Sequence, residues 1–263
     1  MRKKSPVVVL SIAGYDPSSG AGITADIKTA AAHHCYAVTC ITSLTVQSTR
    51  GVRRVEPVAR TLIARTLEEL AGDFSIAAVK IGMLGSVEAV RAVVAFLKRH
   101  RFRHVVLDPV LRSSSGAALL DNAGTSLLRN RLLPLVHVVT PNIDEAGVLT
   151  GLLVRNRDEM LEAAGRIHQM GARSVIVTGG HLSPPVDLLS AQSGKTIRFF
   201  PGKKIHTRST HGTGCAFAMS LACRLALGDD VELATAAAKK YVAAGLKNAK
   251  PLGKGKGPIE HFV

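Results

Sequence analysis

The sequence contains no tryptophan, and aromatic residues make up only 4% of its 263 residues. Proteins that bind single-stranded nucleic acid usually stack bases on aromatic side chains set among basic ones. Here 34 Lys and Arg residues are scattered along the chain against 19 Asp and Glu residues, which gives a formal charge of +15. This charge favours anionic partners in general. Without a stacking platform it does not indicate a nucleic-acid-binding protein.

Long apolar runs and paired cysteines are also missing. No stretch approaches the roughly 18 apolar residues of a membrane span, and the apolar run after the basic start MRKKS is short for a signal peptide. The four cysteines, Cys35, Cys40, Cys215 and Cys223, show no CxxC spacing. We therefore expect a cytoplasmic protein with reduced thiols and no membrane partner.

Short apolar, β-branched runs alternate with amphipathic segments along the chain. The runs PVVVLSI, YAVTCITSL, IAAVKIG, HVVLD, VHVVT and SVIVT predict strands. Helices are predicted at ITADIKTAAAHH, at PVARTLIARTLEEL and near residues 87–99, 122–133, 142–149 and 158–170. This alternation predicts an α/β fold with a mostly parallel central sheet flanked by helices, and a length of 263 residues suits a single domain, residues 1–263.

Two nucleotide-binding motifs are incomplete. SGKT, residues 193–196, would end a phosphate-binding loop only if glycine stood at position 189, where the chain has Leu189. The surrounding VDLLSAQSGKTIRFFPG instead predicts a small β-hairpin late in the chain. The GAG at residues 20–22 lacks the full GxGxxG spacing, so a dinucleotide site is weakly supported.

Polar, glycine-rich segments follow the predicted strands. They read AGYDPSSGAGITAD, VQST, GMLGS, DPVLRSSSG, TPNIDEAGVLTG and GGHL in chain order. Any one of them could be ordinary turn sequence. Ligands of parallel α/β proteins bind beyond the carboxyl ends of the strands, so six such segments in succession predict one assembled site there.

A seventh segment, STHGTGCAFAMS, places two glycines at the start of an apolar helix. Glycine is a poor helix former and is favoured where backbone must be bare. The N–H groups at a helix N-terminus attract anions. We therefore expect an anion close to this helix start.

Together the segments closely resemble hydroxymethylpyrimidine/phosphomethylpyrimidine kinases of thiamine biosynthesis, which belong to the ribokinase-like superfamily. The resemblance runs in order from Val7 to Phe262 and includes the terminal GKGKGPIEHF. It implies a three-layer fold and transfer of phosphate from ATP, with Mg²⁺, to a hydroxymethylpyrimidine and then to its monophosphate. It also implies a homodimer. Pyridoxal kinase remains an alternative, as does a catalytically silent small-molecule sensor on the same fold.

The resemblance assigns roles to particular residues. Gly212, Thr213 and Gly214 would cradle the transferring phosphate, and Cys215 stands where related sugar kinases have a catalytic aspartate. The helix dipole lowers the pKa of a thiol at a helix N-terminus, so Cys215 could take the hydroxymethyl proton or orient the hydroxyl. Cys215 could also be a small apolar helix residue, as we expect for Cys223.

The other implied residues surround the substrate, the metal and ATP. The substrate pocket would be lined by Gly14, Asp26, Gln47, Met83 and Val110; the metal would be organised by Asp108, Asn142 and Glu145; and ATP would meet Thr178, Gly179 and Gly180. Alternatively, Asp26 could be exposed on its helix, Asn142 could be a helix cap and the two metal-site carboxylates could be surface charges. His181 and His211 complete no spaced ligand cluster, which favours hydrogen-bonding roles.

Two positions depart from the family pattern. Ser48 stands where relatives usually have asparagine, and Thr178 stands where many have a lysine that contacts ATP phosphates. A cation is therefore missing beside the glycines of GGHL unless another residue replaces it. Lys239 and Lys240 are candidates whose direction the sequence does not give.

Overall fold

The computed structural model describes residues 5–113 and 116–263. Residues 1–4 of the basic start and residues 114–115 of the DPVLRSSSG segment lie outside this description. The strands are β1 (Val7–Tyr15), β2 (Cys35–Ser48), β3 (Gly51–Pro57), β4 (Ile76–Ile81), β5 (Val105–Leu107), β6 (Val138–Val139), β7 (Ser174–Val177), β8 (Val186–Ala191) and β9 (Thr196–Pro201). The helices are α1 (Gly22–Ala32), α2 (Arg60–Asp73), α3 (Val87–Arg99), α4 (Asn122–Leu127), α5 (Ile143–Thr150), α6 (Arg157–Gln169), α7 (Thr213–Ala226) and α8 (Val231–Asn248).

The strands form one nine-stranded sheet in the order β3-β2-β1-β4-β5-β6-β7-β8-β9. The strands from β2 through β7 in this order pair in parallel, while β3, β8 and β9 pair antiparallel to their neighbours. The predicted mostly parallel sheet is therefore confirmed. The late hairpin is also confirmed, because β8 pairs along its length with β9.

Successive strand residues point to opposite faces of the sheet and enter two different apolar layers. Leu10 and Ile12 of β1 pack into the layer formed with α2, α3, α5 and α6. Val9, which precedes Leu10 and points to the opposite face, packs into the layer formed with α1, α7 and α8. The sheet is thus covered on both sides, which confirms the three-layer prediction.

The strand predicted at YAVTCITSL is longer than expected, and the next strand was missed. β2 continues to Ser48, so Gln47 lies on the strand and not in a loop after it. The missed strand β3 pairs only with β2 at the edge of the sheet. Its residues are exposed or half-buried and include Arg53, Arg54 and Glu56, so it lacks the apolar run that marks a buried strand.

The single helix predicted at residues 122–133 is wrong in its second half. After α4 the backbone widens into a π-helical turn over Leu128–Leu132 and then tightens into a 3₁₀ turn over Leu133–Leu135. Leu128, Leu132 and Leu133 are all buried. A regular α-helix would keep Leu128 and Leu132 on one face but would turn Leu133 roughly 140° away from Leu128. The wider turn brings all three onto the core side.

Among the described residues, the structure has no helix with both the length and the apolar character needed to cross a bilayer.

Candidate active site

The start of α7 is held against the loop that follows β1. Gly212 caps the helix with φ 82°, in the left-handed region that favours glycine. A Cβ at this position would overlap the carbonyl oxygen of Gly20. Gly212 is therefore required by a backbone contact inside the protein. The sequence had suggested a different reason for this glycine, namely the close approach of an anion.

Gly214 is different, because it is exposed and has space around it. The nearest atoms to an added Cβ would be the two carboxylate oxygens of Asp108, each at 3.8 Å. The first turn of α7 thus presents bare backbone directly beside a carboxylate at the end of β5. Thr213 begins the helix between the two glycines.

Cys215 lies on this same first turn, close enough to Asp108 for the two groups to influence each other's charge. Although part of the residue reaches the surface, protein encloses the thiol. Burial raises its pKa to about 12; Lys80 opposes this shift, while the charges of Asp108 and Asp26 add to it. The expectation of a lowered pKa is wrong, since burial and two carboxylates outweigh the helix N-terminus.

Asp108 is almost completely buried, and its Oδ2 has no hydrogen-bond partner among the described residues. Burial raises its pKa to about 6; Lys80 lowers it and Asp26 raises it further. Asp108 is therefore not a surface charge. A buried carboxylate oxygen without a donor is a position at which a cation or a ligand hydrogen would be stabilised.

Asn142 and Glu145 form a reciprocal cap at the start of α5. The Asn142 side chain accepts from Glu145 N at 2.9 Å, and Glu145 Oε2 accepts from Asn142 N at 3.0 Å. The capping interpretation of Asn142 is thus confirmed. Glu145 is also buried, and burial followed by the charge of Asp108 raises its pKa to about 8. Glu145 and Asp108 therefore repel each other across the site, which a cation between them would relieve.

The loop after β7 brings Thr178 and Gly179 beside these residues. Thr178 N donates to Pro141 O at 2.9 Å, immediately before the Asn142 cap. Gly179 N donates to Asp187 Oδ1 at 2.9 Å. The other oxygen of Asp187 accepts from Lys239 Nζ at 2.5 Å, and the ion pair is largely buried. Of the two candidate lysines, Lys239 is therefore the one connected to this loop.

Gly14, Met83 and Val110 lie at the ends of neighbouring strands. A Cβ on Gly14 would stand 3.0 Å from Met83 Sδ, so the glycine gives clearance to the methionine. Val110 is half-buried two residues beyond Asp108, whose carbonyl accepts from Val110 N. These three positions provide an apolar wall near Cys215 and Asp108.

Asp26 is completely buried, so the alternative that it is exposed on its helix is wrong. Both carboxylate oxygens accept from Lys80 Nζ, at 3.0 and 2.9 Å, and Oδ2 also accepts from Ser11 Oγ at 2.5 Å. Burial raises the pKa of Asp26 despite these partners. Lys80 is likewise completely buried. Burial lowers its pKa, but the negative charges of Asp26, Cys215 and Asp108 and the hydrogen bond to Asp26 together raise the pKa by more. Any substrate contact of Asp26 has to share oxygens with this ion pair.

Gln47 contacts a second buried pair that sequence reasoning did not find. His211 Nε2 lies 2.7 Å from Asp16 Oδ2 and 3.1 Å from Gln47 Nε2. Asp16 also accepts from the backbone N–H groups of residues 18, 20 and 21. The hydrogen-bonding role predicted for His211 is confirmed.

The missed residues of this site are Asp16, the partner of His211, and Lys80, the partner of Asp26. Lys80 gave a signal, because a charged side chain inside the apolar strand IAAVKIG needs a buried partner. Asp16 lies in the segment AGYDPSSGAGITAD, but the sequence indicated no particular role for it. Among the described residues, no three His, Cys, Asp or Glu side chains are arranged to hold a metal by themselves.

Comparison with solved structures shows the same fold throughout. A Bacillus subtilis pyridoxal kinase in complex with ADP superposes with a TM-score of 0.89 at 34% identity, over 98% of both chains. A phosphomethylpyrimidine kinase from Clostridium difficile superposes with a TM-score of 0.80 at 35% identity, over 90% of this chain and 98% of the other. The ribokinase-like architecture implied by the motifs is therefore confirmed.

Two curated relatives match almost the whole chain. The hydroxymethylpyrimidine/phosphomethylpyrimidine kinase of Haemophilus influenzae is 38% identical over 97% of this chain and 96% of its own length. The thiamine biosynthesis bifunctional protein ThiED of Geobacter sulfurreducens is 43% identical over 97% of this chain, which spans about half, 52%, of that longer protein. The family model for phosphomethylpyrimidine kinase matches residues 16–260. This range includes the buried acids, the α7 N-terminus and the loop at Thr178, and the chain belongs to the phosphomethylpyrimidine kinase family.

Proposed function

We propose that the protein transfers the γ-phosphate of ATP to the hydroxymethyl group of 4-amino-5-hydroxymethyl-2-methylpyrimidine, and then phosphorylates the monophosphate to the diphosphate. The observation that carries this proposal is the first turn of α7, where exposed Gly214 and the thiol of Cys215 lie beside the unpartnered oxygen of Asp108. Phosphoryl transfer depends on positioning and on stabilising negative charge. Bare N–H groups at a helix start supply that stabilisation.

In the proposed step, the substrate hydroxyl oxygen forms a bond to the γ-phosphorus while the bond from that phosphorus to the β-bridging oxygen breaks. ADP leaves with the electron pair. The hydroxyl proton passes through the Cys215 thiol to the carboxylate of Asp108, because a thiol with a pKa of about 12 already holds its own proton. The N–H groups of Thr213, Gly214 and Cys215 stabilise the phosphoryl oxygens, and Gly14, Asp26, Gln47, Met83 and Val110 surround the ring.

A magnesium ion fits the acidic side of the site. Asp108 offers an unpartnered buried oxygen, and the charge of Asp108 raises the pKa of Glu145, after the larger effect of burial. Mg²⁺ commonly binds one or two carboxylates together with water and substrate phosphates. We place it at Asp108 and Glu145, with Asn142 holding the Glu145 carboxylate through the cap. When bound, the ion would neutralise charge on the ATP phosphates.

The substrate assignment is tested by measuring ATP consumption with hydroxymethylpyrimidine and pyridoxal side by side. We expect kcat/KM to be about tenfold or more higher for the pyrimidine, because a site that hydrogen-bonds ring substituents discriminates against rings that lack them. The monophosphate should also be accepted. Turnover of pyridoxal with neither pyrimidine would replace our proposal by pyridoxal kinase activity, and binding without any ATP consumption would indicate a silent sensor.

For ATP, we assign Lys239 as the cation that acts in place of a lysine at Thr178. Lys239 reaches the Gly179–Gly180 loop through Asp187, and hydrogen bonds to charged groups contribute about 1.5–3 kcal/mol. Lys239→Met should therefore lower kcat/KM for ATP by about tenfold or more. Lys240, its exposed neighbour, provides the control, and Lys240→Met should leave this constant unchanged.

The same assignment gives a rescue test. Thr178→Lys should raise kcat/KM for ATP, and the gain should be larger in the Lys239→Met background than in the wild type. If the Lys239 and Lys240 variants lost kcat/KM for ATP equally, the effect would come from the overall positive charge and not from a specific contact of Lys239. If Thr178→Lys raised kcat/KM for ATP in neither background, position 178 would not belong to the ATP site.

The proposal takes residues 1–263 as one kinase domain, supported by a single sheet that uses strands from Val7 to Pro201. It also includes a cytoplasmic location and a homodimer that needs neither nucleic acid nor a membrane. Exposed apolar side chains on β2, at Tyr36, Leu44 and Val46, support a surface for a second copy.

A further inference from the structure

The positions of the hydrogen atoms decide how the side chains of His211 and Gln47 can contact each other. The carboxylate of Asp16 can only accept, and its Oδ2 lies 2.7 Å from His211 Nε2. Backbone N–H groups of Gly20 and Ala21 also donate to this oxygen. His211 Nε2 therefore carries a hydrogen and donates it to Asp16.

That hydrogen determines which atom of Gln47 can face the histidine. At 3.1 Å from Nε2, the Gln47 NH₂ group would place one donor against another. The amide oxygen at the same position would accept the longer branch of a bifurcated hydrogen bond from the His211 N–H. The histidine thus favours the amide turned by 180°, with Oε1 towards Nε2.

Thr45, on the opposite side of the amide, leads to the same orientation independently. Its hydroxyl has one hydrogen, and its Oγ lies 2.9 Å from the carbonyl oxygen of Tyr15, which can only accept. Towards Gln47, at 3.2 Å, the hydroxyl then offers only lone pairs. An NH₂ group facing Thr45 satisfies this contact, whereas the amide oxygen there would be an acceptor facing an acceptor.

We infer that His211, held by Asp16, is a positioning residue that fixes the Gln47 amide with Oε1 towards His211 and NH₂ towards Thr45. One amide N–H then meets Thr45, which leaves the second to donate to another acceptor. Gln47 is half-buried on β2, so this N–H can reach a ligand. It selects ligands with an acceptor such as an unprotonated ring nitrogen, a conclusion about specificity that rests on the proposed function.

The orientation itself is tested in the unliganded protein by NMR. The Gln47 side-chain amide protons should show nuclear Overhauser contacts to the Thr45 side chain and none to the His211 ring. Contacts to the His211 ring without contacts to Thr45 would overturn the inference. This measurement involves no substrate, so its failure is distinct from failure of the proposed activity.

The link to specificity is tested by a double-mutant cycle on the full enzyme. Gln47→Ala should raise KM for hydroxymethylpyrimidine by about tenfold, in line with the loss of one hydrogen bond of ordinary strength. His211→Phe should raise the same KM about fivefold, with kcat and KM for ATP within about twofold of wild type. Because His211 acts through Gln47, the double variant should match Gln47→Ala alone.

Two further variants keep the test decisive if His211→Phe does not fold. Thr45→Val removes the hydroxyl that receives the Gln47 N–H, and we expect a similar KM rise that is again absent in the Gln47→Ala background. His211→Gln keeps an N–H donor for Asp16 and should recover part of the wild-type KM. Additive KM effects, or equal changes in kcat and KM for ATP, would assign His211 to loop packing and overturn its positioning role.

Discussion

Cys215→Ser is expected to lower kcat by about 100-fold or more, the usual contribution of a group that handles the reacting proton. The sulfur lies on the first turn of α7 close to Asp108, so the substituted hydroxyl, on its shorter bond to Cβ, would sit further from both the acid and the substrate oxygen. Serine has nearly the volume of cysteine, and Cys215 lies outside the two large apolar layers, so the free energy of unfolding should change by less than about 1 kcal/mol. Steady-state kinetics and urea denaturation measure the two effects.

Cys223 provides the matched control, because it is completely buried in the α7 layer, as the sequence predicted. Cys223→Ala should cost stability and leave kcat near the wild-type value. If both cysteine variants lost turnover equally, packing of α7 would explain the result. Near-normal turnover of Cys215→Ser would show that the backbone N–H groups and Asp108 suffice.

Lys80→Met should lower the free energy of unfolding by about 3–5 kcal/mol, since it leaves a buried carboxylate without its partner. Lys80 and Asp26 are both completely inaccessible, and the lysine donates to both carboxylate oxygens. The double variant Lys80→Met/Asp26→Asn removes both charges and should recover part of this loss. Urea denaturation with a two-state fit gives the values.

An exposed ion pair on β3 serves as the control for Lys80. Arg54 and Glu56 are in contact at 2.6 Å, but their side chains are 72% and 59% exposed. Arg54→Ala should change the free energy of unfolding by less than about 1 kcal/mol. A loss from Lys80→Met as small as that from Arg54→Ala would show that water reaches Asp26 and that the pair is not structurally important.

The sequence predicted most of the sheet because its inner strands are buried on both faces and therefore read as continuous apolar runs. β3 was missed because charged residues, Arg53, Arg54 and Glu56, interrupt its apolar pattern. It is an edge strand held by its pairing with β2. The helix predicted at residues 122–133 was wrong in its second half, where three leucines pack into one core. A local sequence pattern does not show which residues the tertiary structure buries together.

Site residues were predictable where they begin or end an element. Asp108 follows β5, Asn142 caps α5 and Cys215 opens α7, and each position is visible in local sequence. The partners of Lys80 and His211 were not predicted, because they lie 54 and 195 residues away along the chain. The lowered pKa expected for Cys215 failed for a related reason: the burial and the neighbouring acids that raise it come from other elements.

The contact of Gly212 with Gly20, together with the Asp16–His211 pair, has a consequence for synthesis on the ribosome. The two ends of the pair are separated by 195 residues, so the loop after β1 has neither partner until His211 and Gly212 have been synthesised. At about 5–20 residues per second this interval is roughly 10–40 s. During that time the buried acids of the nascent sheet lack the N-terminus of α7. The protein therefore gains the means to hold an anion only as its translation finishes.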